Sequence, residues 1–180
     1  LKLLVLGGSL GAEALNRILP ELIVSAPSGS IQTLHQTGRR QFSRTLQRYQ
    51  QLGQDTEKTH RVVAFIDEMG EAYQWADIVL CRSGASTVCE IAVAAKPAIF
   101  VPYPFHKDRQ QLRNANWLHA AGAAEVVEQH DLDVDRLVQV LTRLLTDLGR
   151  LRQMGLSASK VAICDAHTRI ADLCLEAAYG

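Results

Sequence analysis

The 180-residue sequence lacks a charge excess of either sign, because 19 Lys and Arg residues are balanced by 19 Asp and Glu residues. A neutral chain has no general electrostatic attraction for a polyanion, which argues against nonspecific binding to nucleic acid or to an anionic membrane surface. We therefore expect no nucleic-acid partner. Any ligand must be recognised by local groups.

Long apolar runs and targeting signals are also missing. No apolar stretch reaches the roughly 18 residues that a membrane-spanning helix needs. No basic segment followed by an apolar one opens the chain. We therefore predict a cytoplasmic protein. Because the chain opens directly on the strand-like run LKLLVL, we expect residue 1 to be the start of an excised domain.

Metal and disulfide signatures are absent as well. The cysteines show no CxxC spacing, and their apolar or helical surroundings predict reduced, mostly buried thiols: Cys81, Cys89, Cys164 and Cys174. The 6 histidines show no spacing typical of metal ligands. The sequence contains no recognisable Ser-His-Asp or paired-carboxylate arrangement. We expect no metal, no cofactor and no catalytic residue in this chain.

What the sequence does contain is an alternation of short apolar runs and helix-like segments. Strands are predicted at 1–6, 31–36, 61–65, 78–81, 98–101 and 124–127, and helices at 12–25, 41–51, 68–75, the segment after 84, 109–121, 134–146, 149–162 and 165–178. Short strands separated by helices pair in parallel through right-handed crossovers. The predicted fold class is α/β, a Rossmann-like doubly wound parallel sheet of about six strands. Ligands of such sheets bind at the carboxyl ends of the strands.

The first strand is followed by the glycine-rich loop GGSLGAEALN, residues 7–16. Glycines let the backbone approach a ligand closely, and the amides at a helix start favour a phosphate. The loop lacks GxGxxG spacing, no acidic residue ends the second strand at Gln36, and no Gly-Lys-Ser/Thr is present. Neither a dinucleotide fingerprint nor a P-loop is therefore predicted. The alternative is a tight turn capped by Ser9.

The fourth strand runs into CRSGASTVCE, residues 81–90. The amides of residues 85–87 could hold a diphosphate, with the Thr87 hydroxyl as a further donor, and Glu90 could accept bonds from two ribose hydroxyls. Thr-x-x-Glu is equally a capping box, with Thr87 at the N-cap and Glu90 three residues on. Local spacing alone favours the capping box.

Three further loops follow strands or precede helices. FHKDRQQ, residues 105–111, offers amide donors and acceptors that suit sugar hydroxyls and phosphate oxygens, although Asp108 could cap the helix with Gln111 as its partner. FIDEM, residues 65–69, could offer backbone to a base, or Asp67 could be an N-cap. DLDVD, residues 131–135, resembles a metal-holding Asp-x-Asp, but its place before an amphipathic helix favours capping.

Taken together, GGSLGA, HQTG, FIDEM, WADIVLCRSGASTVCEI, FVPYPFHKDRQQ and AGAAEVVEQ resemble the carboxyl-terminal half of the MurG family of bacterial N-acetylglucosaminyltransferases, which complete lipid II for peptidoglycan. The resemblance implies half of a GT-B fold. It implies that residues 1–163 bind UDP-N-acetylglucosamine and that residues 164–180 form a helix that crosses back to an absent amino-terminal domain. That domain would bind the lipid I acceptor and contact the inner face of the cytoplasmic membrane, so this half alone would bind donor without turning it over.

The same resemblance implies a role for individual residues. Ile66 would contact uracil through its backbone with Met69 beside it, and Glu90 would take the ribose hydroxyls. The amides at residues 85–87 would bind phosphate, while His106 and the adjacent glutamines would face the sugar and diphosphate. The implied donor site comprises Ser9, Ile66, Met69, Ala85, Ser86, Thr87, Glu90, His106, Gln110 and Gln111.

Two other functions remain open at this point. One is a non-catalytic donor-binding subunit of a split glycosyltransferase, which works with a separate acceptor-binding chain. The other is a domain like a non-hydrolysing UDP-N-acetylglucosamine 2-epimerase, against which the HKDRQQ segment argues.

Overall fold

The computed structural model describes residues 1–8, 12–27 and 29–179. The strands are β1 Lys2–Leu6, β2 Gln32–Gln36, β3 His60–Val63, β4 Ile78–Cys81, β5 Ala98–Phe100 and β6 Ala124–Val126. The helices are α1 Glu13–Ser25, α2 Phe42–Gln51, α3 Met69–Trp75, α4 Ala85–Val93, α5 Gln110–Ala120, α6 Val134–Leu145, α7 Leu148–Val161 and α8 Ala166–Tyr179. A 3-10 turn, Gln129–Asp131, follows β6.

The strands form one parallel six-stranded sheet in the order β3-β2-β1-β4-β5-β6. This arrangement confirms the predicted doubly wound α/β fold. The chain first builds outward from β1 to β3 and then returns to build outward from β4 to β6. The topological switch point therefore lies between β1 and β4, where the loops at the carboxyl ends diverge and leave a crevice.

Both faces of the sheet are covered by helices, which explains why β1 is apolar at successive positions. Leu3 and Val5 belong to a core that includes α1 and α6, whereas Leu4 and Leu6 belong to a core that includes α3, α4 and α5. Side chains alternate across a strand, so burial on both faces requires an apolar residue at every position.

Pro20 lies buried inside α1, which runs from Glu13 to Ser25. The fold corrects one sequence expectation, that for the cysteines. Of the four cysteines, Cys81 is buried but the others are exposed: Cys89, Cys164 and Cys174. The prediction of mostly buried thiols was wrong because Cys89 lies on the outward side of α4, and the other two lie in the exposed segment at the carboxyl end.

Helix α8 differs from the other helices because every one of its residues is exposed. Its apolar residues include Ile170, Leu173 and Leu175, each more than half exposed. The division of the chain at residues 163 and 164 stays a prediction.

Among the residues that the structure describes, none belongs to a helix long and apolar enough to cross a membrane.

A buried polar cluster ties α1, β2 and α2 together around His35, which is fully buried. The Nε2 atom of His35 lies 2.9 Å from Oδ1 of Asn16, and its Nδ1 atom lies 3.1 Å from the hydroxyl of Tyr49. Because Asn16 Nδ2 donates to the carbonyl of Thr37, Oδ1 is the accepting atom, so Nε2 of His35 carries the proton. Nδ1 then accepts from Tyr49, and the neutral imidazole satisfies both partners.

We expect this cluster to make stability fall in acid. Burial lowers the pKa of His35 from 6.5 to about 3. An unfolded chain protonates this imidazole near its ordinary pKa, whereas the folded chain keeps it neutral. The contribution of His35 to the free energy of unfolding is therefore complete above pH 6.5. It is lost as the pH falls toward 3, at about 1.4 kcal/mol per pH unit.

Urea unfolding at pH 7 and pH 4.5 measures this effect. His35→Gln removes the titrating group, so its unfolding free energy should fall less between the two pH values than that of the wild type. Other groups with lowered pKa values, including His60 and Asp55, cancel in this comparison. Equal losses in the two proteins would show that His35 does not titrate abnormally, and an NMR titration of the imidazole gives the same answer directly.

Candidate functional site

The loop after β1 begins with a close backbone approach that only glycine permits. The Gly7 amide donates to the carbonyl of Gln36 at 2.8 Å. A Cβ atom on Gly7 would lie 2.9 Å from that same oxygen. Gly8 has a φ of +73° and exchanges hydrogen bonds with the side-chain amide of Gln36. The loop is thus held against the end of β2, and the predicted site residue Ser9 lies outside the described residues.

The loop after β4 starts helix α4 three residues earlier than a capping box would require, because the box places the N-cap at Thr87. Gly84 is the N-cap, in an extended conformation and without a side-chain cap, and Ala85 is the first helical residue. Thr87 is therefore the third helical residue, and Glu90 lies in the second turn. The capping-box interpretation was wrong because Ser83 and Gly84 already provide the turn into the helix.

The first amides of any helix have no intrahelical acceptor. Because the first bond of α4 is from Val88 to Gly84, in this helix they belong to residues 85–87. Ala85 and Ser86 are exposed and Thr87 is half-buried, so these amides lie at the surface beside the switch point. A helix start of this kind favours an anion by its aligned donors and its dipole.

The loops after β4 and β5 are tied together through Gln111. Its Oε1 atom accepts from the amides of Ser83 at 3.3 Å and Tyr103 at 3.0 Å. The hydroxyl of the fully buried Ser83 donates to the Gln111 carbonyl, and Asn114 donates to the Ser83 carbonyl. Because the acceptor of Gln111 is already engaged, its side chain can offer a ligand only the Nε2 hydrogens. The alternative in which Gln111 is the capping-box partner of Asp108 is not observed, because the Gln111 side chain bonds to the two loop amides instead.

Arg82 lines the cleft at the switch point, although the sequence did not point to it as a candidate. Its guanidinium donates to the carbonyls of Val101 and Pro102 and to the side chain of Gln129, and it lies over the ring of Tyr103. Burial lowers its pKa, and the Tyr103 hydroxyl opposes that shift. The described contacts include no carboxylate for this cation, so its positive charge is available to an anion. An arginine directly after a buried strand is the signal that could have identified it.

A cleft of about 870 Å³ opens at the switch point. Of the predicted site residues within the described chain, the cleft brings together Thr87, His106 and Gln111. Its remaining described lining is Gly7, Gly8, Ala12, Glu13, Ala14, Arg17, Arg82, Gly84, Tyr103, Phe105 and Gln129. The His106 ring packs edge-on against Tyr103, with 5.2 Å between ring centroids. The cleft has the size, the donors and the cation needed to hold a phosphorylated ligand.

A second recess of about 750 Å³ lies between α3 and α4 and contains the predicted residues Met69 and Glu90. Thr87 and Glu90 therefore line different recesses, although they are one helical turn apart on α4. Ile66 is half-buried beside the second core. Ala85, Ser86 and Gln110 are exposed, and none of the three lines either recess.

The segment after β6 supports the β5–α5 loop from outside. Arg109, the N-cap of α5, has a φ of +52°, a backbone conformation that is strained for a residue with a side chain. Its guanidinium pairs with Glu128 at 2.7 Å. Asp108 accepts from the Gln110 amide at 3.2 Å, but the N-cap of α5 is Arg109 and not Asp108.

The acidic segment before α6 behaves as a helix cap. Asp133 is the N-cap of α6 and accepts from the amide of Arg136 at 2.7 Å, which confirms the capping interpretation of DLDVD. Asp67 does not cap α3, whose N-cap is Glu68 without a side-chain bond. Within residues 1–8, 12–27 and 29–179, no cluster of His, Cys, Asp or Glu is placed to hold a metal ion.

Comparison with known proteins decides the family. Residues 2–170 match the family described as Glycosyltransferase family 28 C-terminal domain. The chain belongs to this family. It is 46% identical over 176 residues to the UDP-N-acetylglucosamine--N-acetylmuramyl-(pentapeptide) pyrophosphoryl-undecaprenol N-acetylglucosamine transferase of Shewanella sp. strain MR-4. That alignment covers 97% of this chain and 48% of the relative.

Solved structures agree with this membership. MurG of Acinetobacter baumannii superposes with a TM-score of 0.88 at 35% identity, over 98% of this chain and 50% of that one. UDP-GlcNAc 2-epimerase from Neisseria meningitidis, bound to UDP-GlcNAc, superposes with a TM-score of 0.64 at 14% identity, over 97% of this chain and 44% of that one, a likeness of fold alone. The family-28 chain thus spans about half the length of the relatives that it matches.

Proposed function

We propose that this chain binds UDP-N-acetylglucosamine as the donor half of an inverting glycosyltransferase that converts lipid I to lipid II. The observation that carries the proposal is the uncapped start of α4 beside the donor-only amide of Gln111 at the switch point. Family membership and the activity for which the Shewanella relative is named support it.

In the proposed arrangement the diphosphate lies at the amides of Ala85, Ser86 and Thr87, with the cationic Arg82 below and Gln111 donating from the side. His106, which lines the cleft, and Gln110, at the exposed start of α5, would face the sugar. Ser9 would approach the diphosphate from the β1 loop. Charge develops on the UDP as the bond to the sugar breaks, and fixed donors aimed at that charge lower the barrier.

The nucleoside would lie in the recess between α3 and α4. Uracil would pair with the backbone of Ile66 beside Met69, and the ribose hydroxyls would donate to Glu90. The acceptor hydroxyl would attack the anomeric carbon from the opposite side in a single displacement, which inverts its configuration. The other half of the protein would bind the acceptor, supply the catalytic base and contact the inner face of the cytoplasmic membrane. We assign no metal to the reaction.

Titration calorimetry of the 180-residue chain with UDP and with UDP-N-acetylglucosamine tests donor binding. We expect Glu90→Gln to weaken UDP binding by about 10- to 100-fold, because a hydrogen bond to a charged group contributes about 1.5–3 kcal/mol. Glu57→Gln, the same change at an exposed residue in the turn after α2, is the matched control and should leave the affinity unchanged. Failure of the wild-type chain to bind UDP would refute the proposed function.

A further inference from the structure

The recess between α3 and α4 contains a buried tyrosine beside Glu90. Tyr73 is only 5% exposed, and its ring belongs to the second core of the protein. Its hydroxyl donates to Oε2 of Glu90 across 2.9 Å. Both residues line the recess, so a ligand there would contact a carboxylate that is already hydrogen-bonded to Tyr73.

The hydrogen bond joins an exposed side chain, Glu90, to a buried one, Tyr73, and so restricts the orientation of the glutamate. Glu90 is exposed and, without a partner, would sample several rotamers, each of which a ligand would have to order on binding. Tyr73 cannot move in this way because its ring is packed. Burial and the adjacent Glu90 carboxylate raise the pKa of Tyr73, so its hydroxyl stays protonated and continues to donate.

The acceptor capacity of the carboxylate also allows a second use. An ionised carboxylate has about four lone-pair positions, of which Tyr73 occupies one. The remaining positions are enough for two neighbouring hydroxyls, which is what the 2′ and 3′ positions of a ribose present. The tyrosine therefore fixes the orientation of the carboxylate without using up its acceptors.

We propose that Tyr73 is a positioning residue, which holds the Glu90 carboxylate in the orientation that accepts the vicinal hydroxyls of the donor ribose. This inference rests on the proposed function, because it assumes that Glu90 faces the ribose. It adds a residue from α3 to the donor site, 17 positions before the glutamate in the chain. A merely structural tyrosine would tie α3 to α4 with no effect on ribose recognition.

The experiment compares UDP with 2′,3′-dideoxyuridine 5′-diphosphate by titration calorimetry on the 180-residue chain. We expect Tyr73→Phe to weaken UDP binding about tenfold and to leave binding of the dideoxy ligand unchanged. In a Glu90→Gln background, the added Tyr73→Phe change should have little further effect, since the group that it positions is already altered. Tyr49→Phe, which also removes a buried hydroxyl bond, should destabilise the fold without changing the preference for ribose.

The outcomes separate this inference from the proposed function. If Tyr73→Phe weakens both ligands equally, or weakens neither while Glu90→Gln weakens UDP, Tyr73 does not position the carboxylate and the inference is wrong, although donor binding stands. If Glu90→Gln leaves UDP binding unchanged, the ribose role of Glu90 fails, and the inference fails with it. Absence of UDP binding by the wild type overturns both.

Discussion

Replacing Gln111 with glutamate should weaken UDP binding by about 100-fold or more while leaving the fold intact. The two amides that Gln111 accepts from, those of Ser83 and Tyr103, can donate to a carboxylate as well as to an amide oxygen. The ties between the β4 and β5 loops are therefore kept. What changes is the second atom of the side-chain amide, where the Nε2 donor becomes an oxygen acceptor of a negatively charged carboxylate.

The expected size of this effect follows from two contributions. A hydrogen bond to a charged phosphate contributes about 1.5–3 kcal/mol. Two like charges about 4 Å apart near a protein surface repel by about 4 kcal/mol at an effective dielectric constant of about 20. Even half of this sum reaches the roughly 2.7 kcal/mol that corresponds to a 100-fold change in affinity.

Calorimetric titration and thermal unfolding of the same variants check both parts of this prediction. Gln47→Glu makes the same charge change on the exposed side of α2 and should leave UDP affinity unchanged. Gln111→Ala should lower stability as well as affinity, because it leaves two loop amides without their acceptor. If Gln111→Glu binds UDP as tightly as the wild type, the Nε2 group of Gln111 does not face the diphosphate.

The secondary structure was largely predictable because most strands are buried on both faces. Ile78–Cys81 was predicted with its observed limits, since a four-residue apolar run between polar residues has the length of a buried strand and is too short for a helix. β3 was placed at 61–65 but runs from His60 to Val63. The error has a physical cause. His60 is buried and hydrogen-bonds to Thr33, so it belongs to the strand, whereas Ala64 and Phe65 lie beyond its end.

The site was less predictable because its contacts join residues that are distant in sequence. Thr87 and Glu90 match a capping box, and only the extended conformation of Gly84 shows that the helix starts earlier. The bond from Ser83 to Gln111 spans 28 residues. Local spacing can name candidates for a phosphate site, but it cannot show which end of an amide is occupied.

Gly155→Ala should destabilise the protein by about 2 kcal/mol, although alanine is the better helix former. Gly155 lies inside α7, where that helix crosses the end of α4. A Cβ atom there would lie 2.7 Å from the carbonyl oxygen of Ala95, a distance at which the backbone has to move. The clash outweighs the gain of roughly 1 kcal/mol in helix propensity.

The backbone at Ala95 has little freedom to relieve this clash. Ala95 has a φ of +53°, a left-handed conformation that costs roughly 1–2 kcal/mol for a residue with a Cβ atom. The same segment closes α4, because Lys96 donates to the carbonyl of Ile91 at 3.1 Å. A shift of the Ala95 carbonyl would therefore disturb the end of the helix whose first turn forms the proposed phosphate site.

Urea unfolding of Gly155→Ala beside Gly70→Ala separates the clash from helix propensity. Gly70 lies in α3, and a Cβ atom added there would have no neighbouring atom within 4 Å, so alanine should stabilise the protein by up to about 1 kcal/mol. Opposite signs for the two substitutions are expected. A gain in stability at both positions would mean that α7 can move away from α4 at little cost, and that the start of α4 is not held in place from this side.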